Sequence, residues 1–110
     1  MTTLFRSKLI NELGTTPQTI LTSSGTATTT VVGMSLTNLT QSIILASIQL
    51  NDTVEETTAY FVKDVIVPPN QSLRVVNGGE RLVVGPSTQL IVNANTDDSM
   101  DVVLSYVEIS

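Results

Sequence analysis

Thr28-Thr29-Thr30-Val31-Val32-Gly33-Met34-Ser35-Leu36 decides the fold class of this chain. Side chains of an extended strand point alternately to opposite faces. Read at that period, Thr30, Val32, Met34 and Leu36 share one face, and Val31, Gly33 and Ser35 share the other. Asn38-Leu39-Thr40-Gln41 then reads as a turn. Ser42 to Leu50 repeats the pattern, with Ile44, Ala46, Ile48 and Leu50 on one face. Ile43 and Leu45 make its other face partly apolar, so one end of this strand is expected to be covered on both sides.

The same period extends in both directions. Upstream, Thr19 to Thr22 reads as a short strand, followed by a turn at Ser23-Ser24-Gly25-Thr26. Downstream, Thr58 to Val65 is a strand with Tyr60 and Val62 on one face and Phe61 and Lys63 on the other. Val67-Pro68-Pro69-Asn70 stops it, since proline has no N–H to give a ladder. Short strands follow at Ser72–Val76, Arg81–Val84 and Thr88–Asn93. They are separated by Asn77-Gly78-Gly79-Glu80, where glycine supplies a tight turn, and by Gly85-Pro86. Asp101 to Ile109 is the last strand. Seven or eight strands with turn signals every eight to twelve residues predict a single all-β domain, an antiparallel β-sandwich of jelly-roll type.

The segment before Pro17 admits two readings. Phe5, Leu9 and Leu13 stand at i, i+4 and i+8 with Ile10 beside them, which fits a short amphipathic helix ending at Gly14. The same residues also fit an extended strand or arm, in keeping with the β pattern that follows. We therefore divide the chain into residues 1–17, an N-terminal arm or short helix open to exchange between subunits, and residues 18–110, the sandwich. In the last strand Val103, Ser105, Val107 and Ile109 oppose Val102, Leu104, Tyr106 and Glu108. One set meets the core. The other, read as Val102, Leu104 and Tyr106, needs cover from the N-terminal segment or from a neighbouring subunit.

Composition narrows the chemistry. The 110 residues contain no His, Cys or Trp, and only 14% are charged. General acid–base work near neutral pH ordinarily uses His, and soft metal sites use Cys or His. A net charge of −5 disfavours a nucleic-acid surface, which needs clustered cations. Arg6 and Lys8 lie together in the N-terminal segment and read as a solvated segment end rather than a docking patch, because exposed charges contribute little. No apolar run approaches the roughly 20 residues of a membrane span. The start Met-Thr-Thr-Leu-Phe-Arg lacks the layout of a secretory signal, so a protein made in a cytoplasm and used there, or assembled into something there, is expected.

Candidate sites have ordinary readings. Asp52/Glu55/Glu56 and Asp97/Asp98/Asp101 offer carboxylates to a hard cation, but neither has an EF-hand spacing. Solvated turns account for both, and we expect no metal. Carboxylate pairs of the glycosidase kind can be drawn among ten acids without meaning. Gly78-Gly79 precedes a strand and so fits a hairpin, not a phosphate cradle. Tyr60, Phe61 and Tyr106 fit core or interface positions better than a sugar-stacking platform. Neither catalytic residues nor a cofactor site is expected.

The order of several segments is also familiar. Leu13-Gly14-Thr15-Thr16-Pro17-Gln18-Thr19-Ile20-Leu21-Thr22 precedes a strand ending Leu36-Thr37-Asn38-Leu39-Thr40. There follow Tyr60-Phe61-Val62-Lys63-Asp64, Val67-Pro68-Pro69-Asn70-Gln71-Ser72-Leu73 and Asp101-Val102-Val103-Leu104-Ser105-Tyr106-Val107-Glu108. This order resembles small β-sandwich virion proteins of tailed bacteriophages, notably those of cyanobacterial phages. The resemblance implies a non-enzymatic virion part: a tail, neck or baseplate component, or a cement protein on the head. It implies a trimer or ring of identical copies touching other virion proteins, without nucleic acid or membrane. Expected contact residues are Leu4, Phe5, Arg6, Leu9 and Ile10 of the N-terminal segment and Leu104 and Tyr106 of the last strand. A stand-alone module for host-surface glycan is the alternative.

Overall fold

The structure, a computed structural model, describes residues 3–26, 28–76 and 81–109. Every regular element among them is a strand: β1 (Thr3–Leu13), β2 (Gln18–Thr22), β3 (Thr28–Asn38), β4 (Ile44–Asp52), β5 (Thr57–Val67), β6 (Ser72–Val76), β7 (Leu82–Val84), β8 (Thr88–Ala94) and β9 (Met100–Ile109). The turn expected at Asn77-Gly78-Gly79-Glu80 lies outside the described residues.

Two antiparallel sheets form. The first has the order β1-β9-β3-β6, with β7 also on β3, and the second the order β2-β8-β4-β5. The chain crosses between sheets so that β1 and β2 share one flank and β8 and β9 the middle. This is a jelly roll of eight strands with the short β7 added. Its inner faces meet in one core, built from Val31, Met34, Leu36, Val102, Leu104 and Tyr106 on one side and Ile44, Ala46, Ile48, Leu90 and Val92 on the other.

Three expectations are corrected. The helix option for the N-terminal segment does not form: β1 is a strand paired with β9 from Thr3↔Ile109 to Ile10↔Val102. Phe5 and Leu9 both have odd numbers, so the spacing that fits a helix also fits period two, and a register shift between Ile10 and Leu13 turns Leu13 into the core. A lone helix this short is marginal in water, whereas a strand here gains a full ladder. With β1 added to the eight strands of residues 18–110, the described residues hold nine.

The faces of β3 are the second correction. Val31 pairs with Tyr106 but Gly33 pairs with Ser105, so Val32 is an inserted bulge residue. A bulge shifts the phase of everything beyond it. Val31, Met34 and Leu36 therefore share the core face, and Val32 does not.

The third correction concerns β9. Val102, Leu104 and Tyr106 are the core face, with Leu104 at 0% and Tyr106 at 4% exposure. Their expected outward placement at an interface is reversed, because the facing sheet already covers them. Val103, Ser105, Val107 and Ile109 are the outward set.

The turn after β3 is held by one buried amide. Asn38 Nδ2 donates to the carbonyls of Ser42 (2.8 Å) and Val67 (3.0 Å), while its Oδ1 accepts from the Thr40 N–H (2.8 Å) and hydroxyl (2.7 Å). The side chain thus ties the β3–β4 turn to the end of β5. Buried groups stripped of a partner each cost about 1–3 kcal/mol. Asn38→Ala is expected to destabilise the fold by about 3 kcal/mol in urea unfolding, and the exposed Asn11→Ala by under about 0.5 kcal/mol.

Candidate functional site

The most unusual surface lies on the outward side of the first sheet, where β1 and β9 run together. Directly opposed residues in a sheet project to the same face. Phe5 stands opposite Val107, Leu9 opposite Val103, and Thr3 opposite Ile109. On the other side of β9, Thr30 of β3 faces Val107 and Ser35 faces Val103. Phe5 is 81% exposed and Leu9 71%, with Val103 and Ile109 also exposed. The result is an apolar stripe interrupted at its middle by the Ser7–Ser105 pair and bordered by Thr30 and Thr37. At its edge Thr37 and Ser72 share a hydroxyl hydrogen bond of 2.8 Å. Asp101 and Arg74 are the charges at its margins.

The other face of β1 overhangs β2. Leu4, Arg6, Lys8 and Ile10 alternate with the outward residues and project over the open flank of the sandwich. Arg6 and Lys8 line a cleft of about 340 Å³ with Thr19 to Thr22, Tyr106 and Glu108. Among the described residues neither cation has an ion-pair partner. A second, smaller depression of about 250 Å³ sits on the outer face around Val32, Gly33, Ser35, Arg74, Val103 and Ser105. It follows from the Val32 bulge and the missing side chain at Gly33.

The expected contact residues thus divide. Leu4, Phe5, Arg6, Leu9 and Ile10 lie together on β1, four of them exposed and Ile10 half-buried. Leu104 is sealed in the core; Tyr106 is buried but reaches the floor of the flank cleft. Val103, Val107 and Ile109 were missed. The signal that could have found them is Ser105, a poor filler for the centre of a core face, which marks its alternating neighbours as outward.

The acidic turns are occupied by the chain's own donors. Asp97 Oδ1 accepts from the Thr15 N–H (3.0 Å) and the Thr15 hydroxyl (2.9 Å), and Asp101 Oδ1 accepts from the Glu12 N–H (3.0 Å). Asp52 Oδ1 accepts from the N–H groups of Val54 (3.0 Å) and Glu55 (3.1 Å). These carboxylates close the corners after β1 and after β4. Among the described residues no group of three or more His, Cys, Asp or Glu converges as a metal site would require. The aromatic platform does not assemble either. Tyr60 and Phe61 are exposed on the edge strand β5, and Tyr106 belongs to the other sheet. Tyr60 instead carries the Lys63 ammonium 5.2 Å from its ring centre.

No family model and no curated protein sequence matches the chain. Among solved structures, it is similar to two crystal structures of a pentameric capsid protein isolated from metagenomic phage sequences. Each is 20% identical, with TM-score 0.45, and the likeness covers 94% of this chain. The chain spans 59% and 60% of the length of those two chains. It is also similar to a structure of infectious bursal disease virus, Gt strain. There the identity is 12% and the TM-score 0.48, covering 98% of this chain and 30% of that one. Scores below 0.5 do not place two chains in one family, so this chain's own residues must carry any functional assignment.

The Thr15 backbone N–H, and after it the Thr15 hydroxyl, hold the Asp97 carboxyl below its ordinary value of 3.8, against a smaller opposing effect of burial. A carboxylate with a lowered folded pKa adds stability above its unfolded pKa and loses it as pH falls through the folded value. Asp97→Asn keeps an acceptor but cannot titrate. Its deficit in melting temperature relative to wild type should be full at pH 5 and should shrink as the pH falls below about 3.8. A deficit that stays constant down to pH 2 would remove Asp97 from the account.

Proposed function

We propose that this chain is a non-enzymatic structural subunit of a virus particle, acting by assembly with copies of itself and with other virion proteins. The observation that carries this reading is the apolar stripe of Phe5, Leu9, Val103, Val107 and Ile109. Large exposed residues aligned on neighbouring strands call for a covering partner, and fully burying a side chain such as Phe5 or Leu9 contributes about 1.5–3 kcal/mol.

Two further points support it. Jelly rolls serve in viral capsids, lectins and cupin-type enzymes, and a chain without His lacks the usual ligands for the metal chemistry of the last. The segment order from Leu13 to Glu108 resembles small virion proteins of tailed phages, which favours a place in the tail, neck or baseplate, or as a cement protein on the head. On this reading the protein is made in the host cytoplasm and resides in the virion as a trimer or ring. The contact surface comprises Leu4, Phe5, Arg6, Leu9 and Ile10 of β1, with Val103 and Val107 replacing Leu104 and Tyr106. The N-terminal segment is then the part that reaches a neighbour.

One observation favours a second reading, a glycan-binding module. Asn51 Nδ2 donates to Gln89 Oε1 (3.0 Å) and Thr58 Oγ1 donates to Asn51 Oδ1 (2.9 Å), a row of amides and hydroxyls beside exposed Tyr60. Binding on a glycan array that Tyr60→Ala abolishes would establish that module.

Light scattering of the purified chain tests the main reading. The wild type should show a mass that is a multiple of the 11.8 kDa monomer. Phe5→Ser/Leu9→Ser should shift it toward monomer, with far-UV circular dichroism unchanged. A wild type that stays monomeric at millimolar concentration contradicts the proposal.

A further inference from the structure

We infer that the flank cleft beneath β1 is a docking site for the acidic β4–β5 loop of a second copy of this chain, in a head-to-tail contact. This inference rests on the assembly reading above and specifies which surfaces meet.

Charge comes first. The chain carries five basic and ten acidic residues, yet Arg6 and Lys8 project side by side over one flank. Glu108 is the one acid lining the cleft. Without an ion-pair partner among the described residues, both cations are available to a neighbour. The acidic exposed feature at the cleft's end of the sandwich is the loop between β4 and β5. There Glu55 and Glu56 are exposed, and Val54, 74% exposed, stands between Asp52 and the pair. Asp52 is engaged with the loop's own N–H groups, so the loop is held in shape and presents Val54, Glu55 and Glu56 outward. Carboxylates on an exposed loop complement a cleft with two cations, whose β2 wall presents Thr19 and Thr22 while Ile20 and Leu21 are buried in the core.

Position comes second. The strand order places β1 and β2 at one flank and β5 and β6 at the other. Within one chain the loop joins the third and fourth strands of the second sheet, while the cleft lies at its first strand, and none of residues 53–56 lines it. The loop does lie at the same end of the sandwich as the cleft's upper lip. Thr22 pairs with Gln89, which pairs with Asn51, which pairs with Thr58, so these four residues are level across the second sheet. The loop is tied to that end by Thr53 N–H to the Ser87 carbonyl (3.0 Å), and Ser87 by its N–H to the Ser24 carbonyl (3.1 Å). A rotation about an axis parallel to the strands thus brings one copy's loop to the next copy's cleft with little shift along the axis. Such a contact is heterologous: each copy gives a loop and receives one, and closure yields a ring. The Phe5 and Leu9 stripe runs along the outer rim of the same strand, so the two surfaces form one continuous contact.

Charge reversal tests this directly, read by sedimentation velocity. Arg6→Glu/Lys8→Glu and Glu55→Lys/Glu56→Lys should each weaken self-association at least tenfold. An equimolar mixture of the two should recover association between unlike copies, because every mixed contact again joins opposite charges. Raising salt from about 0.05 M to about 0.5 M should weaken the wild type, and this needs no variant to fold. If both variants associate like the wild type while Phe5→Ser/Leu9→Ser dissociates, the assembly reading stands and the cleft–loop contact is overturned. The two cations then serve only to keep the edge of β1 from pairing with strangers. Loss in each variant without recovery on mixing overturns the contact as well. A monomeric wild type overturns both readings.

Discussion

The antiparallel seating of β9 between β1 and β3 is the constraint on which the rest of this molecule depends. β9 makes the longest continuous ladders in the first sheet, against β1 on one side and β3 on the other. Its register decides which alternate residues face the second sheet. With Val102, Leu104 and Tyr106 turned inward, the core closes over β8 and β4. With Val103, Val107 and Ile109 turned outward, an apolar surface is left that the described residues cover only in part: Val103 and Ile109 are exposed and Val107 is half-buried. A one-residue slip would exchange these sets. The register is fixed at the lower end by the corner after β1. There Ser99 donates its N–H to the Leu13 carbonyl and Ala94 donates to that of Gly14. Asp97 and Asp101 hold the intervening N–H groups of Thr15 and Glu12. A side-chain carbon added at Gly14 would fall 2.7 Å from Asp97 Oδ1, so the corner admits only glycine without adjustment.

This arrangement separates two kinds of polar residue. Acids cluster in turns, where several cap backbone N–H groups and define the ends of strands. Hydroxyls and amides fill the outward sheet faces, where they hydrogen-bond locally and carry no charge. Surfaces of this kind can be buried against another molecule without the desolvation cost of ions. That distribution supports the proposed role in a particle, which the apolar stripe of β1 and β9 carries.

Much of the fold was legible because strands announce themselves at period two and turns by Gly, Pro, Asn and Asp. The segments from Thr19 to Ile109 were located to within a few residues, and the jelly-roll class followed from their number and spacing. What was not legible was phase. The bulge at Val32 is invisible in an alternation count, and it moved Val31 onto the core face and Val32 off it. For β9 both sets of alternating residues are apolar, so pattern alone could not choose between them, and Leu104 and Tyr106 were placed on the wrong side. In β1, Phe5 and Leu9 satisfy both helical and strand spacing; only the free ladder on β9 breaks the tie. The roles of Asn38 and Asp97 depend on partners distant in sequence, which no local reading reveals. Nor was the flank cleft visible, since Arg6 and Thr22 become neighbours only once the sheets stack.

The phase of β9 is tested most directly by paired alanine substitutions on adjacent residues, measured by urea unfolding in the Phe5→Ser/Leu9→Ser background so that association does not enter. Leu104→Ala should cost about 3 kcal/mol, as deletion of a buried leucine side chain does, and Val103→Ala under about 1 kcal/mol. The reverse order, with Val103 the costly position and Leu104 nearly neutral, would contradict the register and with it the exposed apolar stripe from which the assembly role is argued.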